Sequence, residues 1–360
     1  MEKKFWKPTL TSQFTHCPIP YHMDTYRGCS FNCTYCFARD FVTFARRNQE
    51  GPKKEFAYLV GNRADLLERW IERTLEKDYN YNKSEEVAFK ERIPIKIGAT
   101  SDPFPYAELE HGITKDILHV FHKYDYPIEI QTKNPEGLYA IAHEFDNPNW
   151  AVAVTLISAD EEFIKVCEPN AQTAENRLAN IRKLTDMGIK VMIKIQPAIY
   201  PKIIDDLPDL IKKAAEAGCW AINIEGLKVR MTMPKKEQEI FKAIGDYLGY
   251  DIRQYYKKNG MRTGSDWEMD EEKKLEYIND AKLLCDHYKI KFFVADNHHM
   301  DKGCNAECCG TEVLRDYKIW EGNTRSDVFP PSGKGSQELG KCMVNFCRSQ
   351  KYAGKTMNEI

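Results

Sequence analysis

The feature that most constrains the fold of this chain is an alternation of short apolar runs with longer segments of helical period. The apolar runs are rich in β-branched residues and lie at residues 93–99, 128–132, 150–156, 190–199 and 221–227. Segments with helical period separate them, at about residues 110–124, 135–145, 173–187 and 205–217. This pattern predicts repeated βα units on a parallel sheet, either closed into a barrel or left open. A strand at about 22–28 and an amphipathic helix at about 62–77 complete six such units.

The sequence after residue 230 extends this core. It reads as a charged helix at about 233–248, a loop without clear period at 249–267, a helix at 270–290 and a seventh strand at 291–297. We therefore divide the chain into an N-terminal extension (1–21), a core barrel (22–230), a helical extension with the additional strand (231–300) and a Cys-rich C-terminal segment (301–360).

Composition and charge exclude several classes of protein. The formal net charge of -2 offers no basic excess that would favour a nucleic acid as partner. The N-terminus lacks an apolar signal region and the chain has no run long enough to cross a bilayer, so we expect a cytoplasmic protein without a membrane partner. Because thiols stay reduced in the cytoplasm, the 12 cysteines indicate metal or redox chemistry rather than disulfides.

Three cysteines, Cys29, Cys33 and Cys36, lie together in the stretch YRGCSFNCTYCFAR after the first predicted strand. A structural zinc site needs four ligands, and no second cysteine or histidine pair follows nearby, although His16, Cys17 or His22 could complete one. A [4Fe-4S] cluster held by three thiolates instead keeps one iron open to a small molecule. Loops that follow the strands of a parallel βα sheet share one edge, where active sites form.

The C-x3-C-x2-C motif followed by βα repeats resembles the radical S-adenosylmethionine (SAM) superfamily. The stretches GATSDP, QTKNPEGL and CEPNAQTAENRLANIRKLTDMGIKVMIKIQPAIYP are similar to its spore photoproduct lyase-like group, over roughly residues 20–230. The resemblance implies an α/β fold with a partial (β/α)6 barrel. It also implies that a [4Fe-4S] cluster binds SAM and cleaves it reductively to a 5′-deoxyadenosyl radical that abstracts hydrogen from a substrate. An electron donor such as flavodoxin or ferredoxin is implied as well.

The same resemblance points to residues that contact SAM. Ser101 matches a serine associated with the amino acid moiety of SAM, and Lys133 matches a lysine that helps bind the SAM carboxylate, unless it is a solvated turn residue. Tyr35 matches the superfamily's adenine-contacting aromatic, with packing beneath the loop as the alternative. The complete set of predicted SAM contacts is Tyr35, Ser101, Asp102, Lys133, Thr155 and Gln196. We expect Arg177 to pair with Glu168 or to orient the sheet face rather than to touch SAM.

Two departures from the lyases bear on the substrate. Ala99 occupies the position of the lyase cysteine that returns a hydrogen atom to the product radical, and Phe37 replaces a lyase tyrosine. Both changes argue against thymine-dimer repair. The substrate therefore stays open between a nucleic acid, which the relatives favour, and a peptide or small molecule, which the neutral charge favours.

Five further cysteines lie near the C-terminus: Cys304, Cys308, Cys309, Cys342 and Cys347. They could bind an auxiliary iron-sulfur cluster, or a structural zinc ion together with His298 or His299. Alternatively, they bind no metal and one thiol supplies the hydrogen atom that Ala99 cannot. Because Asp296 and Asn297 follow the additional strand, we expect this segment to begin on the active edge of the sheet. A rival function for the whole chain is a non-catalytic zinc-binding adaptor.

Overall fold

A computed structural model describes residues 7–10, 19–26, 28–38, 63–78, 83–231, 241–264, 266–296, 298–304 and 308–318. Eleven strands lie in these ranges: β1 (Thr9–Leu10), β2 (Tyr21–Met23), β3 (Ile95–Ile97), β4 (Ile128–Thr132), β5 (Trp150–Thr155), β6 (Val191–Ala198), β7 (Ala221–Gly226), β8 (Val229–Arg230), β9 (Gly260–Thr263), β10 (Asp266–Met269) and β11 (Lys291–Val294). The main sheet has eight strands in the order β1-β2-β3-β4-β5-β6-β7-β11. Only the β1–β2 pairing is antiparallel, so seven consecutive strands are parallel.

The parallel sheet confirms the α/β class and the partial barrel predicted from the sequence. Strand β4 has the predicted bounds, and β3, β5, β6 and β7 lie inside the predicted runs. The first strand is shorter and earlier than predicted, and β11 supplies the expected seventh member beside β7. These strands could be read from the sequence because helices cover one face and the barrel interior buries the other, which favours continuous apolar runs.

Eleven helices surround or extend the sheet in the described ranges: α1 (Arg63–Glu76), α2 (Ser84–Lys90), α3 (Glu108–His111), α4 (Ile113–Lys123), α5 (Pro135–Ala142), α6 (Glu161–Cys167), α7 (Ala174–Asp186), α8 (Lys202–Glu216), α9 (Lys242–Leu248), α10 (Ile252–Asn259) and α11 (Glu271–Tyr288). The side chains of Asn134, Asp160 and Thr173 cap the N-termini of α5, α6 and α7. Gly188 and Gly218 adopt positive φ just past α7 and α8, as a C′ glycine does. Within these ranges, every helix is too short or too polar to cross a bilayer.

The prediction of a loop at 249–267 was wrong. Asp251 caps α10, and β9 and β10 follow as a hairpin that joins β8 in a small antiparallel sheet. The hairpin lacks a clear alternation because its first strand is largely exposed and needs no apolar face. The preceding predicted helix is observed only as α9, since residues 232–240 lie outside the described ranges.

The two faces of the main sheet pack against different partners. Val152 and Ile193 belong to the large core that the sheet shares with the helices. Ala153 and Met192, their neighbours along the strands, belong to a separate small cluster with Phe293. Because side chains alternate between the faces of a strand, this second set points into the barrel.

The barrel interior also holds a network of buried charges, which we call the interior ion network: Lys96, Glu129 and Lys194. The Lys194 Nζ atom lies 2.8 Å from Glu129 Oε1, and the Lys96 Nζ atom lies 3.8 Å from Glu129 Oε2. All three side chains are buried. Lys194 reaches across β5 to β4, past the small side chains of Ala151 and Ala153.

A segment of residues 308–318, the C-terminal strap, runs along the N-terminal edge of the sheet. The Arg315 backbone N–H donates to the side-chain oxygen of Asn149 at 2.8 Å, and the Asn149 amide donates to the Arg315 carbonyl at 3.0 Å. Asn149 lies just before β5. Further along, the Lys318 backbone N–H donates to the Arg92 carbonyl, before β3, at 3.3 Å. The strap therefore lies at the edge opposite the loops that follow the strands.

Candidate active site

The loop that carries the three cysteines follows β2 and is fixed by neighbouring elements. The Ser101 hydroxyl donates to the Gly28 carbonyl and accepts from the Gly28 backbone N–H at 3.3 Å. The Thr34 backbone N–H donates to the Cys167 carbonyl at 2.8 Å. Asn170 completes the support, since its side chain donates to the Ser30 carbonyl at 2.9 Å. Contacts after β3 and β5 thus determine the path of the loop.

The thiols of Cys29, Cys33 and Cys36 are neighbours in this loop. Cys33 is buried and the other two are partly exposed. Burial raises the pKa of Cys33, and the adjacent Glu168, Cys36 and Cys29 raise it further against the opposing effect of Lys133. Burial and then Asp102 raise the pKa of Cys29 to about 12.

Three neighbouring thiols in one loop are the ligand set of a [4Fe-4S] cluster that keeps one iron open. Burial makes proton loss from the thiols unfavourable, whereas metal coordination deprotonates a thiol outright. In an iron-sulfur cluster each thiolate binds its own iron, so the three sulfurs need to be neighbours without converging on one point. Among the described residues, no three Cys, His, Asp or Glu side chains converge on a single-ion site.

Asp102 organises the edge beside the loop. Its carboxylate accepts from the Thr132 hydroxyl at 2.7 Å, from the Lys133 backbone N–H at 2.7 Å and from the Phe104 backbone N–H at 3.0 Å. Burial raises the pKa of Asp102, and these hydrogen bonds oppose that effect. Asp102 therefore links the end of β3 to the end of β4. Its hydrogen bonds fix the position of Lys133.

Tyr35 and Lys133 lie beside each other, next to the buried ion pair of Glu168 and Arg177. The Lys133 Nζ atom lies 5.6 Å from the centroid of the Tyr35 ring. The Tyr35 hydroxyl donates to Glu168, which pairs with Arg177 as the sequence predicted. Burial alone lowers the pKa of the Lys133 ammonium, but Cys33, Glu168 and Asp102 together raise it, so Lys133 is positively charged.

The other two predicted SAM contacts, Thr155 and Gln196, lie inside the barrel. The Thr155 carbonyl accepts from Arg177 at 3.0 Å, and its side chain is partly buried. The Gln196 amide donates to Asn223, whose own amide donates to the Cys308 carbonyl at 2.8 Å. Tyr35, Asp102 and Lys133 thus lie together, whereas Gln196 belongs to the interior polar surface.

Sequence reasoning missed Asp24. Its carboxylate accepts from the Thr100 backbone N–H at 3.0 Å, from the Thr100 hydroxyl and from the Ser101 backbone N–H at 3.4 Å. It therefore positions Ser101 from the residue after β2. Because the sequence predicted this strand at about 22–28, Asp24 lay inside the predicted strand, where an acidic residue was the available signal. His22 Nε2 lies 4.0 Å from Asp24 Oδ2, and burial, opposed by Asp24, lowers the pKa of His22. Within the described ranges His22 completes no metal site, and His16 and Cys17 lie outside them.

The two positions that differ from the lyases have opposite environments. Ala99 is buried, with 8% of its surface exposed, directly before the turn that carries Ser101. Phe37 is 54% exposed beside the last loop cysteine. Neither side chain can carry the hydrogen atom that a thiol or a phenol could.

Three of the five C-terminal cysteines, Cys304, Cys308 and Cys309, lie in the described ranges. Cys304 is exposed and packs beside β11, where its Sγ accepts from the Phe292 backbone N–H at 3.4 Å. Cys308 and Cys309 begin the strap, with their sulfurs 3.7 Å apart, and Cys309 is near enough to Glu129 to raise the pKa of that carboxyl. The segment begins past the end of β11, as expected, and the chain then turns back along β11, where the Cys304 backbone N–H donates to the Phe292 carbonyl at 2.7 Å.

Among the described residues, these thiols do not form a metal site. The described cysteines and His298 and His299 form no three-ligand group. Instead, Asp296 pairs with Lys274 at 2.8 Å and accepts from the His298 backbone N–H at 3.1 Å. Cys342 and Cys347 lie outside the described ranges, so an auxiliary cluster or zinc ion stays a prediction.

Comparison with known proteins agrees with this geometry. The family model of the radical SAM superfamily matches residues 23–214, from the end of β2 through the three-cysteine loop to most of α8. The chain belongs to the radical SAM superfamily. This is a family of enzymes that use a [4Fe-4S] cluster and SAM.

Solved structures share the fold. Spore photoproduct lyase with bound AdoMet and dinucleoside spore photoproduct superposes with a TM-score of 0.55 and 15% identity, covering 80% of this chain and 78% of that one. The same lyase complexed with dinucleoside spore photoproduct gives a TM-score of 0.54 and 16% identity, with the same coverage. The fold of this radical SAM protein is therefore that of the lyase, at an identity too low to transfer its reaction.

Two curated relatives match more closely in sequence. They are uncharacterized proteins of Mycobacterium bovis and Mycobacterium tuberculosis, each 26% identical over 219 residues. The match covers 59% of this chain and 60% of each relative.

Proposed function

We propose that the protein binds a [4Fe-4S] cluster through Cys29, Cys33 and Cys36 and uses SAM to abstract a hydrogen atom from a polar substrate held in the barrel. The proposal rests on the position of the three-cysteine loop beside Tyr35 and Lys133. The reduced cluster supplies the electron that cleaves SAM into methionine and a 5′-deoxyadenosyl radical. In this proposal a low-potential protein such as flavodoxin or ferredoxin donates that electron.

The residues around the loop suit the parts of SAM. The Lys133 ammonium suits the SAM carboxylate, since a charge-assisted hydrogen bond is stronger than a neutral one. Tyr35 offers an aromatic face for adenine, and Ser101 offers a hydroxyl near the amino acid end. Asp102 and Asp24 do not bind SAM in this proposal. They hold Lys133 and Ser101 in place.

The inside of the barrel favours a polar substrate. Four side chains that share the interior face are partly buried and can hydrogen-bond: Gln131, Thr155, Gln196 and Glu225. Barrel interiors are otherwise filled with branched apolar side chains. Gln131 and Gln196 already donate to Glu129 and Asn223, and Glu225 pairs with Lys228. An apolar substrate would therefore desolvate only their remaining hydrogen-bonding atoms, at a cost of about 1–3 kcal/mol for each. We therefore place a small polar molecule or a peptide first among the substrate classes.

An anaerobic assay tests this proposal. The protein is reconstituted with iron and sulfide, reduced with dithionite and incubated with SAM, and 5′-deoxyadenosine is measured. We expect product from the native sequence and essentially none from Cys33→Ala. Stoichiometric zinc in the loop, without iron and without product, would instead support the zinc-binding adaptor.

A second candidate is the repair or modification of a nucleic acid, because the matching lyase structures hold a dinucleoside photoproduct. Phosphate contacts release counterions, so this function requires DNA or RNA binding that weakens steeply with salt. A binding titration at several salt concentrations distinguishes the two. Salt-dependent affinity for lesion-bearing DNA would move this candidate ahead, and its absence would leave the small polar substrate.

A further inference from the structure

We propose that Glu168 is a positioning residue that orients Tyr35 and Lys133 together and thereby controls the affinity for SAM without touching SAM. The inference rests on the proposed function. Glu168 lies just past the end of α6, on the connection between β5 and α7. It therefore belongs to a different part of the chain from either residue that it holds.

Glu168 is itself held rigidly. Its side chain and that of Arg177 are both fully buried. The Arg177 guanidinium also donates to the Thr155 carbonyl at 3.0 Å and to the Gln172 carbonyl at 2.7 Å. These two carbonyl contacts hold the guanidinium, and the ion pair ties the Glu168 carboxylate to it. The carboxylate thus has a fixed position relative to the end of β5.

From that position Glu168 acts on two predicted SAM contacts at once. It accepts the hydrogen bond of the Tyr35 hydroxyl, which fixes the tilt of the ring. The Lys133 ammonium lies over that ring at 5.6 Å, where it is attracted both by the aromatic face and by the Glu168 carboxylate. Loss of the carboxylate would release the ring and weaken the hold on the ammonium together.

The path of the cysteine loop does not depend on this carboxylate. Backbone hydrogen bonds hold the loop, from the Thr34 N–H to the Cys167 carbonyl at 2.8 Å and from the Asn170 N–H to the Phe31 carbonyl at 3.3 Å. A change confined to the Glu168 side chain should therefore leave the cluster ligands near their places. This separates a positioning role from a general structural role of the loop.

A double-mutant cycle on Glu168→Gln and Tyr35→Phe tests the proposal. Tyr35→Phe keeps the ring and removes only the hydroxyl, so it stays informative if Glu168→Gln, which leaves Arg177 unbalanced, fails to fold. We expect each single change to weaken SAM binding roughly tenfold, the value of one hydrogen bond to a charged group. Glu168→Gln removes the charge that attracts Lys133 and weakens the acceptor of the Tyr35 hydrogen bond, so its effect partly overlaps that of Tyr35→Phe. The double variant should therefore bind SAM less weakly than the product of the two single effects predicts.

Three readouts and one control distinguish the outcomes. Iron content, the electron paramagnetic resonance spectrum with and without SAM, and the SAM dissociation constant are measured on reconstituted protein. Tyr126→Phe is the matched control, since it removes a buried hydroxyl that donates to the Ile93 carbonyl at 2.6 Å, far along the chain from the loop. We expect it to leave SAM affinity unchanged, and we expect Glu168→Gln and Tyr35→Phe to alter the SAM-induced spectral change at unchanged iron content.

Additive effects of Glu168→Gln and Tyr35→Phe, or native SAM affinity in Tyr35→Phe, would overturn the role of Glu168. The proposed function fails separately, if the native sequence itself neither binds SAM nor forms 5′-deoxyadenosine. Loss of iron in Tyr35→Phe would also overturn the inference, because it would show that the hydroxyl maintains the loop rather than the SAM contacts.

Discussion

Cysteines occupy two regions of this molecule, and the surroundings of each differ. At the edge that follows the strands, Cys29, Cys33 and Cys36 share one loop, with the partly buried Lys133 and the buried carboxylate of Glu168 beside them. Cys308 and Cys309 begin the C-terminal strap at the opposite end of the barrel, where the Cys308 carbonyl accepts from the interior Asn223 amide. The first group is surrounded by side chains that other elements hold in place for a ligand. The second is surrounded by contacts that hold the chain to the sheet. Clustering of cysteines alone therefore does not identify a site.

The largest expected difference between the two cysteine regions is in iron binding, which is measured by counting iron in two cysteine variants. Cys33→Ala should lose essentially all of the reconstituted iron, since a cluster held by three thiolates cannot spare one. The triple change of Cys304, Cys308 and Cys309 to alanine should retain the native iron content, because Cys304 lies apart from the other two. A clear fall in iron in the triple variant would contradict the comparison and would point to an auxiliary cluster.

The sequence predicted which residues meet in the first region because its signals are local, and their roles toward SAM stay predictions. The three cysteines, Ser101, Asp102 and Lys133 each follow a strand, and parallel topology brings such residues to one edge. Asp24 escaped notice because its partner is on the next strand, not nearby in the sequence. Contacts across the barrel were not predicted either. The pairing of Lys194 with Glu129 depends on two small side chains of the strand between them.

A second prediction concerns the interior ion network. Glu129→Gln should lower the free energy of unfolding by about 3–5 kcal/mol, because it leaves the buried ammonium groups of Lys96 and Lys194 without their shared carboxylate. Urea unfolding measures this loss. Glu110→Gln, on a 79% exposed side chain, is the control and should change stability by less than about 0.5 kcal/mol. Similar small changes in both variants would show that the network contributes little.

A third prediction sharpens the role of the strap. Asn149→Ala removes three hydrogen bonds of a buried amide, at 3.0, 3.0 and 2.8 Å to Asp125 and Arg315, and should cost about 2–3 kcal/mol. Arg315→Ala keeps the backbone contacts and loses only exposed ones, so it should cost under about 1 kcal/mol. Unfolding curves give both values. Neither variant should change SAM affinity, and a change in either would mean that the strap communicates with the active edge.

The smallest effect concerns Asp296, which lies past β11 on the active edge but takes part in a structural ion pair. Burial alone raises the pKa of Asp296, but the Lys274 ammonium, the His298 N–H and the His299 imidazole outweigh it and lower the pKa below its ordinary value. A carboxyl whose folded-state pKa is lowered adds stability above its unfolded-state pKa, and that stability is lost as pH falls through the folded-state value. From pH 6 to about pH 3.5, the native protein should therefore lose more unfolding free energy than Asp296→Asn. Parallel pH profiles of the two proteins would show that Asp296 titrates as it does in the unfolded chain. In that case Asp296 would not be held by its ion pair, and the polar residues past β11 would be able to bind a ligand, as we propose for those around Lys133. The difference between residues that bind a ligand and residues that stabilise the fold would then lie between individual loops, not between the two edges of the sheet.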